Sequence, residues 1–228
     1  MSFARDPAGW LEETPSRANR VFLRTPQGRD LSYAALREQS GRIASALIQR
    51  GVLPGDRIAV QVDKSPEAVF LYIACLRLGA VFVPINVANT PNEVEYFLRD
   101  LRPRLAVIRP PDLSVIEPLA KESGISLETL GANGDGSLLT LAAESARDFE
   151  LPTGFDPSSI AAIIYTSGTT GRSKGAMLTR ANLVSNAAVL AEAWRFTSSD
   201  VLLHALPLFH IHGLFTAINT VLASNSSL

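Results

Sequence analysis

Short apolar runs alternate with helix-length segments along most of this chain, and proline or glycine marks most of the changes of period. Residues 57–62, 81–83, 105–108 and 160–164 read as strands, the last an unbroken apolar run. Helical patterns lie before and between the first three. Ser32 can cap the first helix, which runs towards Arg50 with Ile43, Ala44, Leu47 and Ile48 on one face and Gly51 as its stop. Pro66 opens the second, as a proline in a first turn should, and Gly79 ends it. Thr90, Pro91 and Glu93 form a capping box with proline at the first helical position, and that helix continues to about Arg102, before Pro103. Alternation of this kind implies an α/β fold: a largely parallel sheet with helices packed on it.

The order becomes irregular between residues 131 and 157, where Gly131, Gly134, Gly136, Pro152, Gly154 and Pro157 cluster around one short helix near residues 138–146. We therefore expect a boundary there. Residues 1–157 form an N-terminal α/β subdomain with its connector, and residues 158–228 begin a second. Beyond the boundary, residues 176–178 read as a short strand. Thr179 then caps a helix carrying Leu183, Val184, Ala187, Leu190, Ala191 and Trp194 at helical spacing. Residues 201–223 are apolar over nearly the length of a membrane span. They contain His204, Pro207, His210, His212 and Asn219, so a buried segment is the expectation, with no membrane span.

Between the strand at 160–164 and the strand at 176–178 lies the densest polar chemistry of the chain. Residues 165–175 read Y-T-S-G-T-T-G-R-S-K-G, with hydroxyls close together on Thr166, Ser167, Thr169 and Thr170, and glycines at 168, 171 and 175. Glycines let a backbone approach a ligand, and turned N–H groups with hydroxyls can surround phosphate oxygens. Lys174 adds a mobile point charge. The segment is not a Walker A loop, because Ser173 stands where the second glycine would be and Gly175 follows the lysine. An ordinary turn between strands is the plain alternative. Against it, no acidic residue lies between Asp156 and Glu192, whereas Arg172, Lys174 and Arg180 are all cationic, so an anion is expected nearby.

T-S-G-T-T-G-R-S-K-G at 166–175 resembles the phosphate-loop signature of the adenylate-forming enzymes, with serine at 173 where proline is frequent. The superfamily includes acyl-CoA synthetases and the adenylation domains of peptide synthetases. L-P-L-F-H-I-H-G-L at 206–214 resembles the next motif of the family. Ser32, Tyr33 and Leu36, G-V-L-P-G-D-R-I-A-V at 51–60 and G-A-V-F-V-P-I-N at 79–86 resemble its N-terminal opening, in the family's order. A narrower likeness, to the malonyl-CoA synthetase branch, is carried by residues 86–90, 93–97, 194–197 and 200–207. Val87 and Asn89 depart from that branch.

The resemblance implies two steps. A carboxylate attacks the α-phosphorus of ATP and pyrophosphate leaves. The thiol of coenzyme A then displaces AMP from the acyl-adenylate to give a thioester. Both reactants of the first step are anions, so they must be held together and the departing charge neutralised. By the family match, Thr166, Ser167, Gly168, Thr169, Thr170, Gly171 and Lys174 bind ATP phosphates, with Lys174 offsetting the pyrophosphate charge. His210 and His212 lie by the acyl pocket, and His210 orients the attacking carboxylate. His204 is expected to be structural. Two other readings of the histidines stand beside this one: buried imidazoles without a role, and a metal site. The second lacks ligands, since residues 201–228 contain no Cys, Asp or Glu. Magnesium is implied as a cofactor, its acidic ligand expected beyond residue 228.

The net charge of −1 argues against nucleic acid as a partner. The single cysteine, Cys75, excludes an internal disulfide and sits in an apolar helical stretch as a small hydrophobe. A cytoplasmic protein is expected. Residues 1–228 lack the family's downstream motifs, so they read as the N-terminal portion of an acyl-CoA ligase for malonate or a similar short acid, inactive by themselves. The rivals are a peptide-synthetase type of adenylation domain, a non-catalytic nucleotide- or anion-binding module, and a truncated product that folds poorly.

Overall fold

The computed structural model describes residues 6–11, 15–145, 152–166 and 173–228. Helix α1 (Pro15–Ala18) leads into a small antiparallel pair, β1 (Val21–Arg24) and β2 (Asp30–Ser32). The main elements follow in order: α2 (Tyr33–Gln49), β3 (Arg57–Gln61), α3 (Pro66–Leu78), β4 (Val81–Pro84), α4 (Pro91–Leu101), β5 (Leu105–Ile108), α5 (Leu113–Glu122), β6 (Ser126–Thr129) and α6 (Ser137–Glu144). After the connector come β7 (Ile160–Thr166), β8 (Lys174–Thr179), α7 (Arg180–Ala193), a π-helical stretch (His212–Ile218) and α8 (Asn219–Ser224). The fold is the α/β class read from the sequence. Six strands form one sheet in the order β6-β5-β3-β4-β7-β8, parallel throughout except that β8 runs antiparallel to β7. Strands from both sides of residue 157 share this sheet.

Alternation along the strands sorts the interior into two layers. Ile58, Val60, Phe82, Leu105, Val107 and Ile164 join α2, α3 and the C-terminal helices in one core. Ala59, Val81, Val83, Ala106 and Ile108, with Ile163 and Tyr165 packed against them, meet α4 and α5 in the other. Helix α3 is apolar on nearly every side because it is buried on nearly every side. Its Tyr72 hydroxyl donates to Asn219 Oδ1 at 2.9 Å, tying α3 to α8. Burial pushes the Cys75 thiol well above its ordinary range, so it is a packing residue.

The expected helix ends are present. Ser32 accepts a hydrogen bond from Ala35 N, and Thr90 and Glu93 make the reciprocal capping box; Pro66 stands at the first turn of α3, whose cap, not read from the sequence, is Ser65, accepting from Ala68 N. Gly79 takes a left-handed φ of 77°, and a Cβ there would meet the Phe155 ring at 2.3 Å, so the α3 stop also fixes the connector.

The segment 201–223 corrects the expectation of uniform burial. Gly213, Leu214, Phe215, Ile218, Val221 and Leu222 are buried, but Val201, Leu203, Leu206 and Ile211 are exposed, Leu203 at 92%. Among the described residues no helix or strand covers them. No helix among the described residues is long and apolar enough to cross a membrane.

Candidate active site

The polar loop is carried at the tip of the β7–β8 hairpin. The register runs from Ile160 opposite Thr179 to Thr166 opposite Lys174, the last pair before the chain turns. Thr166 and Lys174 therefore face each other across the loop's base, and both are exposed. Ser167, Gly168, Thr169, Thr170, Gly171 and Arg172 lie outside the described residues. Gly175 is opposite Tyr165, and a Cβ there would come within 2.8 Å of Ile163 Cγ2. The final glycine of the motif is thus required by close approach of the two strands.

Both flanks of this hairpin are held by α4. The Tyr96 hydroxyl donates to the Ser173 carbonyl at 2.9 Å, next to Lys174. The Tyr165 hydroxyl donates to Asp100 Oδ2 at 2.6 Å, next to Thr166. The Tyr165 ring also lies against Phe97, centroids 4.6 Å apart. Burial, reinforced by the Asp100 carboxylate, pushes the Tyr165 phenol well above its ordinary range, so it stays a proton donor. Sequence reasoning missed Tyr96, Asp100 and Tyr165 as site supports. The available signal was the spacing of Tyr96 and Asp100, four apart on one helix face.

Arg180 corrects the expectation that the three cations of this region await an anion. Its side chain is 1% exposed and already paired. Nε and a terminal nitrogen reach Asp6 Oδ2 and Oδ1 at 2.5 and 2.7 Å, the same terminal nitrogen donates to Leu76 O at 2.9 Å, and the guanidinium sits 4.3 Å from the Phe155 ring centroid. The guanidinium fork is filled by a carboxylate of the chain itself.

The three histidines divide. His204 Nε2 donates to Gly213 O at 2.7 Å, and Lys64 Nζ donates to His204 O at 2.6 Å. Residues 204–213 thus fold back on themselves. Gly213 permits this, since a Cβ would lie 2.0 Å from Pro207 O. Burial lowers the His204 pKa, and the Gly213 carbonyl partly offsets the effect. His204 has the structural setting expected for it. His210 and His212 are exposed on either side of Ile211, where the π-helical stretch begins, and the His210 ring stacks near Phe209 at 5.5 Å. Among the described residues, no hydrogen bond joins these two imidazoles to the β7–β8 hairpin.

A protein family described as AMP-binding enzyme matches residues 10–228. The chain is 31% identical over 201 residues to a probable CoA ligase of Humulus lupulus, covering 86% of this chain and 38% of that protein. It is 31% identical over 202 residues to the oxalate–CoA ligase of Arabidopsis thaliana, covering 87% and 39%. Two structures of MatB from Rhodopseudomonas palustris, one apo and one with ATP bound, superpose with a TM-score of 0.93 at 42% and 43% identity. Each covers 98% of this chain, which in turn covers 44% of each MatB chain. The chain spans less than half the length of these relatives.

Proposed function

The chain belongs to the AMP-binding enzyme family, and from that premise we propose that it is the N-terminal part of an ATP-dependent acyl-CoA ligase. The observation that carries this reading is the β7–β8 hairpin, which sets Thr166 opposite Lys174 at the two ends of the T-S-G-T-T-G-R-S-K-G motif. A carboxylate oxygen of the acid attacks the α-phosphorus of ATP, and the bond to the β-phosphate oxygen breaks as pyrophosphate leaves. The thiol of coenzyme A, giving up its proton, then bonds through sulfur to the acyl carbon as the acyl carbon–phosphate oxygen bond breaks and AMP departs. Thr166, Ser167, Thr169 and Thr170 donate to phosphate oxygens, with Gly168 and Gly171 giving the backbone room. The Lys174 ammonium offsets charge that grows on the leaving pyrophosphate, the kind of interaction that accelerates phosphoryl chemistry. His210, exposed beside Phe209, orients the attacking carboxylate, and His212 lines the acyl side. The likeness of residues 86–97 and 194–207 to the malonyl-CoA synthetase branch supports malonate or a similar short acid, and a cytoplasmic setting accords with those substrates.

Magnesium, when bound, would help neutralise charge on the ATP phosphates. Among the described residues no three His, Cys, Asp or Glu side chains gather; a nucleotide magnesium needs only one or two carboxylates beside the phosphates. The family resemblance implies that the carboxylate that would hold it lies beyond residue 228.

The test is acid-dependent ATP–pyrophosphate exchange by the enzyme of full family length that carries this chain. Lys174→Met is expected to slow exchange at least about a hundredfold, nearly 3 kcal/mol of barrier, with the thermal midpoint unchanged. His210→Ala is expected to slow it about tenfold. Exchange at the wild-type rate in Lys174→Met would refute the assignment of the loop.

A further inference from the structure

Helix α4 grips the hairpin at the two places where the loop leaves the sheet. On the β7 side the contact is Tyr165 to Asp100 at 2.6 Å, and on the β8 side it is Tyr96 to the Ser173 carbonyl at 2.9 Å. Tyr96 and Asp100 are one helical turn apart, so a single face of α4 meets both strands. The helix is itself immobilised. The Thr90–Glu93 capping box and Pro91 fix its start, and Val94, Phe97, Leu98 and Leu101 are buried against β3, β4 and β5. The hairpin has no comparable support on its other side, because residues 174–177 of β8 are exposed. A long, flexible lysine at the end of such a strand is aimed by whatever fixes its own backbone, and Ser173 is the adjacent residue.

We propose that Tyr96, and with it the Tyr165–Asp100 pair, are positioning residues that hold the Lys174 backbone where its ammonium meets the β- and γ-phosphates of ATP. The proposal rests on the adenylating role given to Lys174 above. It assigns α4 a task beyond packing: the helix ties the sheet's interior to the phosphate end of the substrate. The hydrogen bonds named act on the outer phosphates only, through Lys174, so they distinguish ATP from AMP.

That distinction is the test. ATP and AMP affinities are measured by calorimetry on the full-length enzyme for wild type, Lys174→Met, Tyr96→Phe, Tyr165→Phe, Asp100→Ala and Asp100→Asn. Tyr96→Phe removes one hydroxyl and is expected to weaken ATP about tenfold while AMP stays within about twofold, the scale of one well-placed hydrogen bond. Tyr165→Phe, which keeps the ring on Phe97, and Asp100→Ala are expected to weaken ATP about fivefold. Asp100→Asn still offers the phenol an acceptor and restores most of the affinity. In a Lys174→Met background Tyr96→Phe is expected to add nothing further, since both act on one interaction. If the Tyr96→Phe enzyme loses ATP and AMP affinity together, or neither, while Lys174→Met selectively loses ATP, the brace is wrong and the loop assignment stands. If Lys174→Met itself binds ATP as wild type does, both fall.

Discussion

The centre of the sheet and its β8 edge are built on different terms. Strands β3, β4 and β5 are covered on both faces, and nearly every side chain on them is buried in one of the two cores. Strand β8 and residues 201–212 carry Met177, Val201, Leu203, Leu206 and Ile211 in contact with solvent. Lys174, His210 and His212, to which chemistry is assigned, sit on the second kind of structure. A monomer seldom leaves neighbouring large apolar side chains uncovered unless something else packs there. On the function proposed above, the remainder of a longer ligase would pack there; this chain spans 44% of the MatB chains it overlays. The contrast separates residues that make the fold from apolar residues left open to solvent.

The comparison is open to direct attack by truncating one side chain of each kind. Phe82, buried between Tyr72 and the sheet, is expected to cost about 3–5 kcal/mol as Phe82→Ala in urea unfolding of the chain. Leu203→Ala is expected to stay within about 0.5 kcal/mol in the same measurement. On the proposal that the remainder of a longer ligase covers this face, the Leu203 substitution is expected to cost about 2 kcal/mol or more in the full-length enzyme. A Leu203→Ala enzyme of full length with wild-type stability would break the comparison, for the face would be open there too.

A smaller effect separates two cations that look alike in sequence. Arg180→Met strands the Asp6 carboxylate, which is partly exposed, and is expected to cost about 2 kcal/mol of stability. It should leave the ATP affinity of the full-length enzyme unaltered, in contrast to Lys174→Met. Loss of ATP affinity with normal stability would return Arg180 to the site and erase the distinction drawn here.

The two regions were not equally legible. Where a helix is amphipathic or wholly buried and closed by Ser32, Ser65, Thr90 or Gly79, local chemistry and tertiary packing agree, and the elements lie where the sequence places them. Helix α5 was hidden by Pro118. That proline is exposed on the helix surface, where water can satisfy the carbonyl its missing N–H leaves free, so the residue that argues against a helix is tolerated. Strand β6 carries Glu128 inward, its charge met by Arg50 at 2.5 Å, and an acidic residue in so short a run conceals a strand. In the candidate site the loop motif stands out in sequence because its composition serves no core. Its supports were not, since Tyr96 and Tyr165 look like ordinary aromatic packing until the structure shows their hydroxyls at a loop carbonyl and a carboxylate. Arg180 misled for the converse reason: its partner Asp6 is 174 residues away.

The smallest expected effect concerns the join between the two regions, where His204 closes the fold-back on Gly213. Burial lowers its pKa below the ordinary 6.5, so the neutral ring is the form the folded chain prefers. In the unfolded chain His204 takes up its proton at the ordinary value, and between the two values the unfolded state therefore binds more protons. Stability from this residue is then fully present above about pH 6.5 and is lost as pH falls through the lowered folded-state value. The Gly213 carbonyl accepts from the ring in either protonation state, so the acid-side loss comes from charging a half-buried imidazole beside Lys64, not from losing the hydrogen bond. His204→Gln keeps a donor of similar reach and does not titrate. It is expected to flatten the fall in thermal midpoint between pH 7 and 5 while leaving the pH 8 value within about 0.5 kcal/mol of wild type. An acid limb as steep in His204→Gln as in wild type would place the titrating group elsewhere and leave the join between core and edge insensitive to charge.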